Sequence, residues 1–132
     1  MKKLLLVLSL IAIGLNLTTD VQGQGGTLRQ VTQTGTITSP VTINSEIGQI
    51  TTVATTLASG GSATFTVNNS ACTPTSSVIS DIQAYSGTYS TNGLPMVNVG
   101  NVSAGSFTLT IMNPHGANAL NGTLTIGFIC KQ

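Results

Sequence analysis

The sequence predicts an all-β fold, an antiparallel β-sandwich of jelly-roll type with about eight strands. Two runs near the C-terminus, residues 106–111 and 123–130, place an apolar residue at every second position. This period of two is typical of a strand with one buried face. Earlier runs of β-branched residues are short and are separated by glycine, proline, asparagine and serine. No window after the N-terminal segment has the periodicity of an amphipathic helix.

The two C-terminal runs are predicted to be core strands that run antiparallel to each other. The segment 113–116 lies between them and reads Asn-Pro-His-Gly, which indicates a turn that opens a longer loop. One phase of each run should face the core: Phe107, Leu109 and Ile111 in the first, and Leu124, Ile126, Phe128 and Cys130 in the second.

The earlier runs begin with residues 27–34, which are rich in threonine and glutamine and are predicted to form an edge strand. Alternate residues from Val41 to Ile47 share one phase, and a further strand is predicted over 49–53, after Gly48.

A β-hairpin is predicted at residues 59–62. Gly60 and Gly61 can supply the positive φ angles that a primed turn requires. The strand after it, 63–67, alternates Ala, Phe and Val with threonine, and a loop is expected over 68–74.

Two more strands, 78–85 and 96–102, flank a loop over residues 86–95. Gly100 and the shifted apolar residue that follows it indicate a β-bulge in the second strand. In the first strand, one face should carry Val78, Ser80, Ile82 and Ala84, and the other Ile79, Asp81, Gln83 and Tyr85.

Residues 1–23 are predicted to be a secretory signal peptide, which leaves 24–132 as a single β-sandwich domain. A basic pair at 2–3, an apolar run over 4–15 and small or modest residues over 21–23 form the signal pattern. A short membrane anchor is the alternative, but the apolar run is shorter than the about 20 residues that span a bilayer. The expected location is therefore secreted or extracellular, which includes the periplasm and the cell surface.

The predicted domain carries almost no charge. Of the 4 Lys and Arg and 3 Asp and Glu residues, three lie in the signal peptide, which leaves two of each sign: Arg29, Lys131, Glu46 and Asp81. Without a basic patch, binding of a phosphate backbone has no electrostatic source, so nucleic acid is not an expected partner. Low charge favours association, so we expect a homo-oligomer or filament with residues 27–34 at the contact, a covering of glycan, or both.

Cys72 and Cys130 are predicted to form one intramolecular disulfide, the usual arrangement in a secreted chain. The bridge would close a loop of about 58 residues and stabilise the fold by roughly 3–4.5 kcal/mol in the chain-entropy model. An intermolecular bridge and two free thiols are the alternatives. Two cysteines and one histidine are too few ligands for a metal site, so no metal or cofactor is expected.

No arrangement of residues indicates catalysis. His115 has no nucleophile motif beside it, and we interpret it as a loop histidine that bonds local backbone. Asp81 and Glu46 lie on different predicted strands and are interpreted as surface acids rather than as a catalytic pair. We therefore expect a protein that is not an enzyme, with a small hydrolase as the least favoured alternative.

Two surface features are candidates for binding or modification. Tyr85 and Tyr89 flank a loop, where exposed aromatic rings would stack on sugars or else cap the core. Three triplets match the N-glycosylation acceptor pattern, and their asparagines are Asn68, Asn101 and Asn121.

Short segments along the chain form a further pattern. They are Val31-Thr32-Gln33, Val41-Thr42-Ile43-Asn44 and Gly48-Gln49-Ile50-Thr51-Thr52, then Phe65-Thr66-Val67-Asn68-Asn69-Ser70, and finally Ala104-Gly105-Ser106-Phe107-Thr108, Asn113-Pro114-His115 and Ala119-Leu120-Asn121-Gly122. Together they resemble a family of small virion-associated structural proteins of tailed phages, over residues 27–129. The resemblance implies a β-sandwich in a structural or surface-displayed protein without catalysis. The signal peptide and the cysteine pair depart from that pattern and point to a secreted relative of the same module.

The function expected from the sequence is that of a secreted, non-catalytic structural subunit of a surface layer, fibre or virion-like particle. The alternative is a carbohydrate- or surface-binding module that uses the loop over residues 86–95.

The first testable prediction concerns processing. The secreted protein should begin near Gln24, because the apolar run over 4–15 is too short to span a bilayer. Intact-mass measurement of the exported protein checks this. A membrane-bound product whose mass still includes residues 1–23 would contradict it.

Overall fold

The computed structural model describes residues 28–132; the predicted signal peptide and residues 24–27 lie outside that range. Residues 28–132 form strands joined by turns and loops, without a helix, so the all-β prediction is confirmed. No helix in this range could therefore cross a membrane. The strands are β1 (Arg29–Thr32), β2 (Val41–Thr42), β3 (Ile47–Thr51), β4 (Thr55–Leu57), β5 (Ser62–Asn68), β6 (Ser77–Tyr85), β7 (Met96–Ser103), β8 (Ser106–Met112), β9 (Leu120–Gly122) and β10 (Leu124–Lys131).

Eight of these strands form two four-stranded sheets that pack face to face. Sheet A has the order β1-β3-β10-β6, sheet B has the order β2-β5-β8-β7, and β4 pairs separately with β9. The predicted β-sandwich is confirmed, and the jelly-roll connectivity stays a prediction. The strand β1 lies at an edge of sheet A, as expected for the described part of residues 27–34.

The chain alternates between the sheets near its start, and this sets strand direction. It runs from β1 in sheet A to β2 in sheet B and back to β3 in sheet A. The pairs β1/β3 and β2/β5 are parallel, while the other pairs between strands are antiparallel. Parallel neighbours require such a crossover, because a tight hairpin can join only antiparallel strands.

The run from Val41 to Ile47 is not one strand with a common face. Val41 and Ile43 are buried, but the chain leaves sheet B after Thr42 and enters sheet A at Ile47. Ile47 consequently lies on the outer face of sheet A, opposite to the phase that the sequence predicts. The strand that follows also includes Gly48, which was expected to precede it.

The core lies between the sheets and contains the residues that the period-two pattern selects. The residues of the two C-terminal runs that were predicted to face inward are all buried. The rings of Phe107 and Phe128 meet at the centre, with centroids 5.2 Å apart. Partners from the other strands complete the core, including Ile50, Phe65, Val67 and Leu120.

The two C-terminal runs are core strands as predicted, but they lie in different sheets and do not pair with each other as antiparallel neighbours. β8 pairs with β5 and β7 in sheet B, whereas β10 pairs with β3 and β6 in sheet A. The connection between them is long enough to carry the chain across the sandwich, so the two runs meet through side chains rather than through backbone hydrogen bonds.

Gly48 is required by the packing of Phe128. A Cβ atom at Gly48 would overlap the Phe128 ring and lie 2.8 Å from the Cδ1 atom of Ile43. A side chain at this position would therefore displace the ring that closes the core.

The hairpin predicted at residues 59–62 is wrong. β4 pairs with β9, and β5 pairs with β8 and β2, so the turn joins strands that are not neighbours. Gly60 has a φ of 71°, and the N–H of Gly61 donates to the carbonyl of Ala58 at 2.9 Å. One positive φ at the third position is the geometry of a type II turn, which does not match the twist of a two-residue hairpin.

A tight hairpin instead joins β7 to β8 through Ala104 and Gly105. Gly105 has a φ of 78°, which only glycine adopts without strain. The bulge predicted in β7 is confirmed, because the pairing with β8 shifts between Gly100 and Ser103.

Cys72 and Cys130 lie at disulfide distance, with their Cα atoms 6.0 Å apart. This confirms the predicted pair. Cys72 follows β5 of sheet B and Cys130 lies in β10 of sheet A, so a bridge ties the two sheets together beside the end of the last strand. Both side chains are buried.

Replacing Cys72 by Ser should lower the free energy of unfolding by roughly 2–4 kcal/mol, because the unfolded chain regains the freedom that the bridge removes. Denaturant unfolding of the secreted protein measures the loss. Cys130→Ser is the matched control: it should cost a similar amount, and the double variant should cost little more than either single one. Labelling of a free thiol in the native, unreduced protein would contradict the bridge.

Candidate functional site

The loop over residues 86–95 is held by Tyr85, the last residue of β6. The Tyr85 hydroxyl contacts the carbonyl of Asn92 and lies 3.0 Å from the carbonyl of Asn121. It also accepts the N–H of Asn121 at 3.2 Å. Tyr85 therefore connects this loop to β9 and caps the core, which is one of the two roles that its position suggests.

Tyr85 is not on the face that the sequence predicts. The pairing of β6 with β10 shifts between Thr125 and Ile126, so Ile82 faces Ile126 and Ala84 faces Thr125. The extra residue in β6 reverses the phase beyond it and turns Tyr85 toward the core, where it is half-buried.

Tyr89 is the exposed aromatic residue of this loop. Its side chain is 56% exposed, and its ring meets that of Tyr85 edge-on with centroids 5.4 Å apart. The loop is closed by two hydrogen bonds across its tip: the Asn92 N–H donates to Thr88 O at 2.7 Å, and the Ser90 N–H donates to Gly93 O at 3.0 Å. Tyr89 is thus presented by a well-bonded turn.

A groove of about 330 Å³ runs beside Tyr89, between the edge strands β6 and β7. Ser80 and Asp81 of β6 line it together with Tyr89. An aromatic face beside a few polar groups is the chemistry that a sugar ring requires. Pro95, Met96 and Val97 form the rest of the wall.

His115 is engaged with its own loop. Its Nδ1 atom accepts the backbone N–H groups of Ala117 at 3.1 Å and Asn118 at 2.8 Å. Its carbonyl accepts the hydroxyl of Ser59 at 2.6 Å. These contacts agree with the interpretation of His115 as a histidine that bonds local backbone.

The two acidic residues of the described chain act separately. The Glu46 carboxylate pairs with the Lys131 ammonium at 2.9 Å, while Asp81 lies on the outer side of β6. Within residues 28–132, no three His, Cys, Asp or Glu side chains are close enough together to hold a metal ion.

The three asparagines of the glycosylation pattern are exposed. Asn68 ends β5, Asn101 lies in the bulge of β7 with a φ of 38°, and Asn121 lies in β9. The side chain of Asn121 is also used by the protein, because its Oδ1 accepts the hydroxyl of Thr56 at 2.7 Å. Their glycosylation stays a prediction.

A buried amide that sequence reasoning missed organises the same end of the sandwich. The Asn113 side chain is fully buried, and its Nδ2 lies 2.9–3.1 Å from the carbonyls of Leu57, Ala58 and Asn118. Its Oδ1 accepts the N–H of Leu94 at 3.0 Å and, more weakly, that of His115 at 3.3 Å. One amide thus joins three loops. The sequence signal was only the turn pattern at 113–116, which does not show what the asparagine contacts.

The outer face of sheet A carries an apolar row that crosses its four strands. Ile129 faces Ile47 of β3 on one side and Ile79 of β6 on the other. Leu28 extends the row beyond Ile47. Arg29 faces Gly48 in the parallel pair of β1 and β3, so the residues that precede them, Leu28 and Ile47, lie side by side. The exposed fractions are 49% for Leu28, 42% for Ile129 and 66% for Ile79. We call these four residues, Leu28, Ile47, Ile129 and Ile79, the isoleucine row.

A ladder of glutamines lies beside the isoleucine row. The Nε2 of Gln30 donates to the Oε1 of Gln49 at 2.6 Å, and the Nε2 of Gln49 contacts the Oε1 of Gln83. Gln83 reaches Gln49 by crossing Gly127, where a Cβ atom would overlap the glutamine side chain. The ladder therefore spans the sheet because β10 has no side chain at this point.

The sequence contained a signal for the isoleucine row. Ile79 and Ile129 fall out of phase with the buried residues of their own strands. An isolated apolar residue on a polar face is ordinary, however, and only the strand register shows that these residues are neighbours.

No family model, curated protein or solved structure matches this chain.

Replacing Asn113 by Ala should lower the free energy of unfolding by roughly 1–3 kcal/mol, because buried backbone groups lose their partner. Asn113→Asp should cost more, since a carboxylate oxygen would replace the donor that faces three carbonyls. The matched control is Asn98→Ala on the exposed face of β7, with an expected change within about 0.5 kcal/mol. Denaturant unfolding measures all three. Equal losses for Asn113→Ala and Asn98→Ala would contradict the role of the buried amide.

Proposed function

We propose that this chain is a secreted, non-catalytic structural subunit that associates with copies of itself in a surface layer, fibre or virion-like particle. The observation that carries the proposal is the isoleucine row, which ends at the unpaired edge strand β6 with Ile79 two-thirds exposed. Monomeric proteins generally avoid a contiguous apolar surface beside an open edge, because it is a template for association.

Charge supports the same proposal. Of the four charged residues in the described chain, Glu46 and Lys131 pair with each other. The described residues carry two positive and two negative side chains, so no net charge repels a second copy. The cysteine pair is compatible with an oxidising compartment, and the signal pattern over residues 1–23 supports export. The resemblance to virion-associated proteins of tailed phages stays a prediction.

A second candidate function is binding of a carbohydrate at the groove beside Tyr89. The observation that favours it is the placement of the exposed ring next to Ser80 and Asp81. Aromatic stacking with polar groups at the rim suits a neutral sugar. Ser80 and Asp81 of the groove directly follow Ile79 of the isoleucine row in β6, so the two functions would compete for part of one surface.

Sedimentation velocity of the secreted protein over a wide concentration range tests the proposed function. We expect reversible association that rises with concentration and persists at high salt, because apolar burial is not screened by ions. A monomer at every concentration would contradict the structural role. If that monomer is also retained on a polysaccharide matrix and Tyr89→Ala abolishes retention, the second candidate function replaces the first.

A further inference from the structure

The edge of β6 is the longest regular open edge in the described part of the sandwich. The four edge strands are β1 and β6 in sheet A and β2 and β7 in sheet B. β1 and β2 have only four and two residues. β7 is interrupted by its bulge between Gly100 and Ser103. β6 has nine residues, and its irregularity lies near its end, which leaves the segment from Ser77 to Ile82 regular.

We propose that a second copy of this chain pairs with this edge, β6 against β6 in antiparallel orientation, with Ile79 facing the second copy's Ile79. The inference rests on the proposed self-association and names its contact. Sheet A of one copy and sheet A of the second copy would join into one sheet of eight strands about a two-fold axis.

Symmetry restricts the register of such a pair. A two-fold axis normal to the sheet requires one residue to face its own counterpart, because opposite residues in a sheet share a face. A centre at Asp81 would oppose two carboxylates. A centre at Ser80 would place each Ile79 against a carboxylate. A centre at Ile79 opposes two isoleucines and places each Asp81 against Ser77, so of these three registers it is the one without an electrostatic penalty, and it is the one that pairs the exposed isoleucines.

Charge complementarity supports the same register. Ser77 of β6 faces Lys131 of β10. The second copy's Asp81, opposite Ser77, would therefore lie in the same cross-strand row as Lys131, about 10 Å away at two strand spacings. Serine is small, and the combined lengths of lysine and aspartate side chains cover that distance. Gln83 already makes a comparable reach across Gly127 to Gln49.

The exposed ammonium group of Lys131 can bind a second carboxylate in addition to that of Glu46. Its pair with Glu46 is exposed, with 64% of the lysine side chain and 58% of the glutamate side chain accessible. In the proposed register each lysine would lie between two carboxylates, one from its own chain and one from the second copy. The contact occurs twice because of the two-fold axis.

The pairing would also complete the isoleucine row. Ile79 forms its outer end at the β6 edge, and the second copy would continue it with its own four residues across eight strands. A two-fold contact closes on itself at two copies. The dimer would thus be the building unit, and larger assemblies would need another surface, such as the β1 edge at the opposite side of sheet A.

Cysteine cross-linking of the full secreted chain tests the register. In Ile79→Cys the new thiols would face each other at about 5 Å between Cβ atoms, so mild oxidation should give a disulfide-linked dimer. Asp81→Cys is the matched control on the same face of the same strand. Its thiols would be about 13 Å apart in this register and should not cross-link. An equal mixture of Ser77→Cys and Asp81→Cys should give the linked heterodimer.

Charge substitution tests the contact without relying on a covalent trap. Ile79→Lys should raise the dissociation constant of the dimer roughly tenfold or more, because it places two like charges opposite each other. Leu28→Lys, at the other end of the isoleucine row, should change the dissociation constant of the dimer by no more than about twofold from that of the unmodified protein. Circular dichroism of each variant verifies that the sandwich is folded.

Distinct results separate this inference from the proposed function. If the unmodified protein associates but Ile79→Cys gives no linked dimer, or if Leu28→Lys rather than Ile79→Lys weakens association, the contact lies elsewhere and this inference is overturned. If the unmodified protein stays monomeric at every concentration, the proposed function fails as well. Preferential cross-linking of Asp81→Cys would also overturn the register.

Discussion

The packing of β8 against β10 is the constraint on which the rest of the fold depends. Each strand is central in its own sheet, and their inward side chains meet at the rings of Phe107 and Phe128. That contact limits the size of the side chains that the neighbouring strands can place against it. Gly48 has no side chain because the Phe128 ring occupies its space, and Ile50 and Phe65 complete the core on either side. Burial of these apolar groups supplies the main driving force of a domain that has almost no charge.

Buried asparagine side chains hold the loops at the two ends of the sandwich through hydrogen bonds to backbone groups, which apolar packing cannot supply. Asn113 binds three loops at one end, and Asn69 holds the other, where its Nδ2 donates to Ser45 O at 2.7 Å and its Oδ1 accepts the Ser45 N–H at 3.1 Å. Each amide supplies partners to backbone groups that would otherwise be buried without hydrogen bonds, which is costly. The loop that presents Tyr89 is fixed by such contacts, so the groove beside it is formed by the fold itself.

The outer face of sheet A is unusual because it combines apolar residues, paired glutamines and an open edge. Soluble β-proteins commonly protect a long edge strand with lysine, proline or a bulge. β7 has a bulge and β1 is short, but the first half of β6 has Asp81 as its one charged residue. This difference between the edges is the reason why β6 is proposed as the contact between copies. The same edge borders the Tyr89 groove, which links the two candidate functions physically.

The sequence by itself determined the fold class, the inward phase of β5, β8 and β10 and the bulge at Gly100, and it favoured the pairing of Cys72 with Cys130. These follow from local period, local turn chemistry and the small number of cysteines. Tertiary structure alone decided which strands are neighbours, and therefore why β8 and β10 lie in different sheets and why residues 59–62 form no hairpin. It also decided the faces of Ile47 and Tyr85, the contacts of Asn113 and the isoleucine row. The physical reason is that alternation specifies which side of a strand is buried, whereas strand order and register depend on contacts between residues that are far apart in the chain.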